Sequence, residues 1–159
     1  QHPKHDVAVL QLPEGLDANF VPETVLATTT DWESDPPEPG LLIRAVGFPH
    51  AAQFKPSPAG FPLTRLGCIA SFPPESLPTF LVDYNTFEGD SGGPVYFETV
   101  TNNQSSFKIL GLVSGQHMLD ERYQLVYQSG LIRKRLGLAI VVSSTAILET
   151  LTQLDQPEQ

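Results

Sequence analysis

One stretch decides how this chain is interpreted: Phe87-Glu88-Gly89-Asp90-Ser91-Gly92-Gly93-Pro94-Val95. A serine hydroxyl is a weak nucleophile at neutral pH, so it needs a base beside it and hydrogen-bond donors for the oxyanion that it generates. Glycines on both sides of Ser91 allow a tight turn that aims backbone amides inward, with Gly89 and Ser91 as the candidate donors. Pro94 and the apolar residues after it are typical of the start of a strand. The pattern therefore predicts a reactive serine on a loop that leads into a strand.

The six residues Gly89–Pro94 read GDSGGP and resemble the nucleophile motif of the trypsin/chymotrypsin-like serine peptidases. Two alternatives are a glycine-rich turn with an incidental serine and the G-x-S-x-G elbow of an α/β-hydrolase. The elbow requires a helix directly after the serine turn. Here Pro94 and Val95-Tyr96-Phe97 follow, which favours a strand. We therefore interpret the motif through the peptidase resemblance.

A second stretch, Asp6-Val7-Ala8-Val9-Leu10-Gln11-Leu12, resembles the segment that begins with the triad aspartate in this family. Its apolar run predicts a short strand that ends at Pro13. Taken alone, Asp6 could equally be an acid that caps a buried strand. The resemblance implies Asp6 as the triad acid, Ser91 as the nucleophile, and the amides of Gly89 and Ser91 as the oxyanion hole.

The family mechanism also needs a histidine tens of residues before the aspartate, but only five residues precede Asp6. On an extended strand His5 would face away from Asp6, and His2 would lie about 13 Å along it. His50 and His117 do not match the family's position. We therefore expect the general base to lie outside these residues and the chain alone to be inactive. His2, His5 and Asp6 suggest a metal site only if further ligands exist, and none can be located; no metal or organic cofactor is implied.

The segment Leu110–Gln116 resembles the family's G-I-V-S-W-G strand, in which the serine braces the triad acid and the next residues pair with substrate. Gly115 and Gln116 replace Trp-Gly here. In the family, a glycine before the last strand lines the substrate pocket. Trypsins also carry an aspartate six residues before the nucleophile, and this aspartate selects substrates with Arg or Lys. The implied substrate-binding residues are Asn85, Ser114, Gly115, Gln116 and Gly137. Since Asn85 is neutral, a cationic substrate side chain would be buried unpaired, so we expect a preference for uncharged side chains.

Composition restricts the class of protein. The chain has 159 residues, 15 proline, 12 glycine and 9% aromatic residues, which indicates one domain of short strands and many turns. Eight of the acids and only Lys4 among the cations lie in residues 1–40, so this part carries −7 of the total −9. Nucleic acid is an unsuitable partner for such a chain. The one basic run, Arg133-Lys134-Arg135, is interpreted as a solvated hairpin tip.

Cys68 is the single cysteine, so no intramolecular disulfide can form. In this respect the chain resembles the cysteine-poor bacterial members of the family more than the disulfide-rich secreted trypsins of vertebrates. No stretch reaches the ~18 consecutive apolar residues of a membrane span. The compartment is not determined, although the resemblance favours a secreted or periplasmic protein.

The resemblance implies an all-β fold: a six-stranded Greek-key β-barrel, the second barrel of the trypsin-like two-barrel fold, with a C-terminal helix and a remnant strand of the first barrel. We divide the chain into residues 1–12 (remnant with the triad Asp), 13–40 (inter-barrel connection, in which Trp32 packs against a barrel), 41–143 (second barrel) and 144–159 (helix and tail). The helix is predicted over Ser144–Leu154, with Ser143 or Ser144 as N-cap and with Ile147, Leu151 and Leu154 on its apolar face. The predicted strands are Leu41–Phe48, Leu63–Phe72, Thr79–Tyr84, Pro94–Val100, Phe107–Gly115 and Gly137–Val142.

The predicted function is that of a serine endopeptidase that hydrolyses polypeptides through an acyl-enzyme on Ser91. The alternative is a catalytically inactive homologue that serves as a binding or scaffold module. The intact motif Gly89–Pro94 favours the peptidase, because an inactive homologue has no reason to retain both the serine and its glycines.

Overall fold

The computed structural model describes residues 1–17, 19–49, 62–71, 78–101 and 104–154. Nearly all of the regular structure is β-sheet, and it begins after residue 40. The elements in chain order are a 3-10 helix Glu23–Val25, α1 Thr29–Ser34, β1 Leu42–Gly47, β2 Leu63–Ser71, β3 Thr79–Asp83, β4 Pro94–Thr101, β5 Gln104–Gln124, β6 Ser129–Ser143 and α2 Ser144–Leu154.

The six strands form a closed antiparallel ring in the order β1-β2-β3-β6-β5-β4. The ring closes because β1 pairs with β2 along its whole length and also with β4 through Arg44↔Tyr96 and Ala45↔Val95. Alternate residues of each strand point inward and build one apolar core. The buried members of this core are Ala27, Ile43, Ala45, Ile69, Phe80, Val82, Tyr84, Val95, Leu110, Val113, Ala139 and Val141.

All six predicted strands and the C-terminal helix are present, with boundaries that differ by a few residues at most strand ends. Phe72, the predicted end of the second strand, lies outside the described residues, as does the tail from residue 155. The large difference is at the β5–β6 connection. Both strands continue well past the predicted ends at Gly115 and Gly137 and form a long hairpin, paired from Met118↔Arg135 to Gln124↔Ser129.

The basic run was wrongly interpreted as a hairpin tip. Arg133, Lys134 and Arg135 lie within β6, and the tip is the two-residue turn at Val126 and Tyr127, where Leu125 and Gln128 exchange backbone hydrogen bonds. Side-chain pairing across the strands explains the position of the charges: Arg133 bonds Asp120 at 2.8 Å, and Lys134 forms an ion pair with Glu121.

The remnant strand predicted at residues 6–12 is wrong. Those residues are extended but pair with no described strand, and the segment before them turns back on itself through a hydrogen bond from the His2 amide to the Val7 carbonyl at 2.8 Å. Val7 packs against Val142, Ala146 and Ile147, at the junction of β6 and α2. Only Val7 of the run is buried by this contact, whereas Leu10 and Leu12 are 83% and 55% exposed.

The connection before β1 contains a short helix that the proline-rich sequence did not predict. Thr28 and Asp31 form a reciprocal capping box at the start of α1. Trp32, on this helix, packs against the core and lies edge-on to Phe80 with ring centroids 5.5 Å apart, which confirms its predicted packing role.

The helix α2 begins where predicted, and the Ser143 hydroxyl caps it by accepting a hydrogen bond from the Thr145 amide at 3.3 Å. Its buried face differs from the prediction. Ser144, Ala146 and Thr150 are buried, whereas Leu154 is 54% exposed. Because Thr150 satisfies its hydroxyl on the Ala146 carbonyl at 2.7 Å, a polar residue can lie on the buried face.

Candidate functional site

Ser91 lies on the exposed loop between β3 and β4, and the end of β1 supports this loop from below. The Phe48 amide donates a hydrogen bond to the Gly89 carbonyl at 3.0 Å. Gly89 has φ +97°, a conformation that favours glycine, and an added Cβ would overlap the Phe48 carbonyl. Gly47 similarly leaves room for the Asp90 carboxylate. The glycines therefore fix the loop closely on β1 while Ser91 faces solvent.

Asp90 anchors the loop from inside. Its side chain is 1% exposed and forms an ion pair with Arg65 of β2. One carboxylate oxygen, Oδ2, also accepts a hydrogen bond from the Phe87 amide at 2.6 Å. An arginine of the ring thus supplies the cation for this buried acid. Sequence reasoning did not single out Arg65; the signal was a buried acid in the motif that needs a positive partner.

Arg65 is held by more than this ion pair. Its Nη1 donates to the Asn85 carbonyl at 2.7 Å, and its guanidinium lies over the rings of Tyr84 and Phe87, 5.1 and 5.6 Å from their centroids. Each contact fixes the position of the guanidinium under the loop. One residue thus connects the base of the predicted substrate pocket, at Asn85, to the residue beside the nucleophile, Asp90.

The two predicted oxyanion donors are available. Other amides of the loop are used within it: Asp90 donates to the Phe87 carbonyl at 3.1 Å and Gly93 to the Asp90 carbonyl at 2.9 Å. The amides of Gly89 and Ser91, in contrast, donate no hydrogen bond to any described residue. Unpaired amides on an exposed loop can bind a developing negative charge.

Asp6 and Ser114, predicted from separate motifs, are in contact. The Ser114 hydroxyl donates to Asp6 Oδ2 at 2.8 Å across 108 positions of sequence. Ser114 follows Val113, whose carbonyl and amide bond to Gly92 and Gly93 at 2.7 and 2.9 Å. The chain thus brings the predicted acid to the same side of β5 as the serine loop. The other oxygen of Asp6 accepts no hydrogen bond from a described residue.

None of the described histidines bonds to Ser91. His2 is buried, contacts Glu149 at 3.0 Å through Nε2, and accepts two backbone hydrogen bonds at Nδ1. His5 stacks on His2, with ring centroids 4.4 Å apart, and His117 is exposed on β5. His50 lies outside the described residues. Across the described part of the chain, no group of three or more potential ligands could hold a metal ion.

Three of the five predicted substrate-binding residues, Asn85, Gln116 and Gly137, lie close to one another. A side chain at Gly137 would begin 3.3 Å from the Asn85 amide oxygen. Gln116 reaches the hydroxyl of Thr86 at 3.5 Å, and Thr86 is buried although it was not predicted. The Arg135 guanidinium lies over the Phe87 ring, 5.6 Å from its centroid. The residues Asn85, Gln116 and Gly137 are therefore brought together, and Gly115 lies beside them on β5.

Tyr84, at the end of β3, has the most strongly perturbed acid–base chemistry near the site. Burial raises the pKa of Tyr84 to about 12, and the Asp90 charge adds to the effect while Arg65 opposes it. The Tyr84 hydroxyl is buried without a hydrogen-bond partner. At neutral pH it therefore remains a neutral phenol.

A cavity of about 510 Å³ lies elsewhere, between α1, the proline-rich segment before β1, and the residues Phe97, Lys108 and Leu110. None of the predicted site residues lines it. Its acid Asp31 already pairs with Lys108 at 3.1 Å. We therefore do not assign the chemistry to this cavity.

Comparison with protein-family models, curated proteins and solved structures finds no match to this chain. Among the described residues, no helix has both the length and the apolar character required to cross a membrane.

Proposed function

We propose that this chain carries the nucleophile half of a trypsin-like serine endopeptidase, with Ser91 as the nucleophile. The proposal rests on the loop around Ser91. Its hydroxyl is exposed between two amides without described partners, and a buried ion pair of Asp90 and Arg65 holds the loop on the ring. The closed six-strand order and the helix after β6 support the finer assignment to the second Greek-key barrel of that family.

In the proposed reaction Ser91 Oγ attacks the scissile carbonyl carbon and transfers its proton to a histidine. The amides of Gly89 and Ser91 stabilise the oxyanion. As the intermediate collapses, the C–N bond breaks, the histidine protonates the leaving amine, and an acyl-enzyme remains, which water then hydrolyses. The free oxygen of Asp6 would orient the histidine, and Ser114 would hold the Asp6 carboxylate in place.

The rival proposal is an inactive homologue that binds a partner polypeptide. One observation favours it: no described side chain forms a hydrogen bond with the Ser91 hydroxyl. The family resemblance assigns that base to a histidine before Asp6, so the two proposals differ in whether the full-length gene product contains it.

A fluorophosphonate probe distinguishes the two. Applied to the full-length protein, it is expected to label Ser91, because activated serines react with it and ordinary surface serines do not. Ser91→Ala should abolish labelling, and the control variant Ser129→Ala, at the exposed start of β6, should retain it. Absence of labelling in the unmodified protein would reject the peptidase, and labelling that survives Ser91→Ala would reject Ser91 as nucleophile.

A further inference from the structure

The strand β5 has one edge that is paired only over part of its length. On that side β4 pairs with β5 as far as Pro94↔Leu112, and the loop residues Gly92 and Gly93 add one further rung at Val113. β5 nevertheless continues to Gln124, held there by β6 alone. Within the described ranges no strand pairs with residues 114–124 on this side, which we call the outer edge of β5.

An unpaired edge presents a row of backbone N–H and C=O groups that can pair with another extended chain. Edges are commonly protected by proline, by charged side chains, by β-bulges or by shortness. The outer edge of β5 has no proline, and the register shifts in its pairing with β6, at Val113/Gly115 and Gln116/Met118, lie before the regularly paired residues 118–124. Two of its three charged residues, Asp120 and Glu121, are neutralised by partners on β6. Residues 118–124 are therefore the part of the outer edge that is open to strand addition among the described residues.

The outer edge is also continuous with the serine loop. Val113 bonds to Gly92 and Gly93, directly after Ser91, and Ser114 bonds to Asp6. An extended polypeptide laid along residues 114–116 would pass the nucleophile, and one that continued along β5 would meet residues 118–124. The hairpin thus lengthens the same surface by about 24 Å, at about 3.4 Å per residue.

The side chains along the hairpin indicate what kind of polypeptide fits. Register places Leu119, Tyr123 and Ile132 on one face, where Leu119 and Ile132 are 48% and 46% exposed. Arg122 lies on the opposite face and has no ion pair among the described residues. Residues 117–136 carry four cations against two acids, a net +2, while the rest of the chain carries −11. These features favour apolar residues at alternate positions with an acidic residue opposite Arg122.

We propose that residues 118–124 of the outer edge of β5, beyond the residues already expected to pair with substrate, bind by antiparallel strand addition an extended segment of polypeptide substrate with alternating apolar residues and an acidic residue beside Arg122. This deepens the proposed peptidase function and rests on it. The hairpin would select substrates by residues distant from the bond that is cleaved. A second copy of this chain is the competing occupant of such an edge.

The test measures binding by fluorescence anisotropy to the full-length Ser91→Ala protein, so that no turnover is needed. A short core peptide is compared with the same peptide extended by seven alternating Val and Glu residues, on either its amino or its carboxyl side. We expect one extension to tighten binding at least about tenfold. Equal affinity of the core and of both extended peptides would overturn the proposal.

Backbone N-methylation separates strand addition from adhesion of side chains. Methylating alternate residues blocks the N–H groups that face β5 in one set and only outward-facing groups in the other. We expect methylation of the N–H groups that face β5 to abolish the gain in affinity of the extended peptide, and methylation of the outward-facing groups to leave that gain unchanged. Equal loss in both sets, or in neither, would contradict pairing.

A charge exchange tests the proposed contact at Arg122. Arg122→Glu should weaken binding of the acidic peptide and strengthen binding of a peptide with Lys at the same position. Arg44→Gln, on β1, removes a cation elsewhere on the ring and should leave this preference unchanged. If instead the protein forms dimers that the extended peptide does not dissociate, the outer edge of β5 pairs with a second copy of the chain. Failure of fluorophosphonate labelling would reject the peptidase without affecting these binding results.

Discussion

Replacement of Arg65 by methionine tests whether the serine loop depends on a buried ion pair. The substitution keeps an apolar stem against Tyr84 and Phe87 but removes the cation that, among the described residues, pairs with Asp90. The Asp90 side chain is 1% exposed, that of Arg65 22%, and Asp90 Oδ1 is buried without a hydrogen bond. A carboxylate left alone in such a place is strongly destabilising.

Breaking a buried pair from one side typically costs about 3–5 kcal/mol. The lost hydrogen bond from Arg65 to the Asn85 carbonyl adds about 1 kcal/mol. We therefore expect a fall of about 4–6 kcal/mol in the free energy of unfolding, at least roughly a thousandfold in the equilibrium constant. Arg65→Met with Asp90→Asn should recover most of it, because a neutral side chain can remain buried with the Phe87 amide as donor.

Urea unfolding, followed by circular dichroism and by the fluorescence of Trp32, measures these changes. Arg44→Met is the matched control. Arg44 pairs with Glu98 on the same ring, but both side chains are about two-fifths exposed (43% and 40%), so a loss below about 1 kcal/mol is expected. The rate of fluorophosphonate labelling should fall in Arg65→Met and not in Arg44→Met. If the two substitutions cost the same, Asp90 does not depend on Arg65 and the account of the loop is wrong.

Three further predictions concern single groups. Hydrogen bonds from the Thr28 amide and hydroxyl, followed by Lys108, lower the pKa of Asp31 from 3.8 to about 2. The ionised Asp31 therefore stabilises the folded protein above about pH 4, and this contribution is lost as the pH falls towards 2. Asp31→Asn should therefore lower the free energy of unfolding by at most about 1 kcal/mol near neutral pH, the carboxylate being solvent-screened, and have no effect near pH 2; an equal cost at both would contradict the assignment. One of the four tyrosines should ionise last, at about 12, in an alkaline absorbance titration, and Tyr84→Phe should remove that step without lowering stability, since the hydroxyl has no partner. A substrate library should show a preference for uncharged side chains that Asn85→Asp shifts towards Arg and Lys; dominance of Arg and Lys in the unmodified protein would exclude Asn85 as the pocket base.

Local sequence determined the main elements of the ring. Alternating apolar residues bounded by proline and glycine placed the six strands, and a serine cap with helical periodicity placed α2. These signals are short-range, because the pleat and the helix repeat are properties of neighbouring residues. The same reasoning placed Ser91 between glycines on a loop, where its hydroxyl is exposed.

Tertiary structure decided the partners of those residues. The pairing of Arg65 with Asp90 and the contact of Asp6 with Ser114 depend on contacts across 25 and 108 positions, which no local pattern encodes. The run after Asp6 has strand composition but forms no strand, since a strand exists only where another strand offers hydrogen bonds. The β5–β6 hairpin extends beyond the predicted ends for the converse reason: each strand supplies the partner that the other needs, whatever the polarity of its side chains.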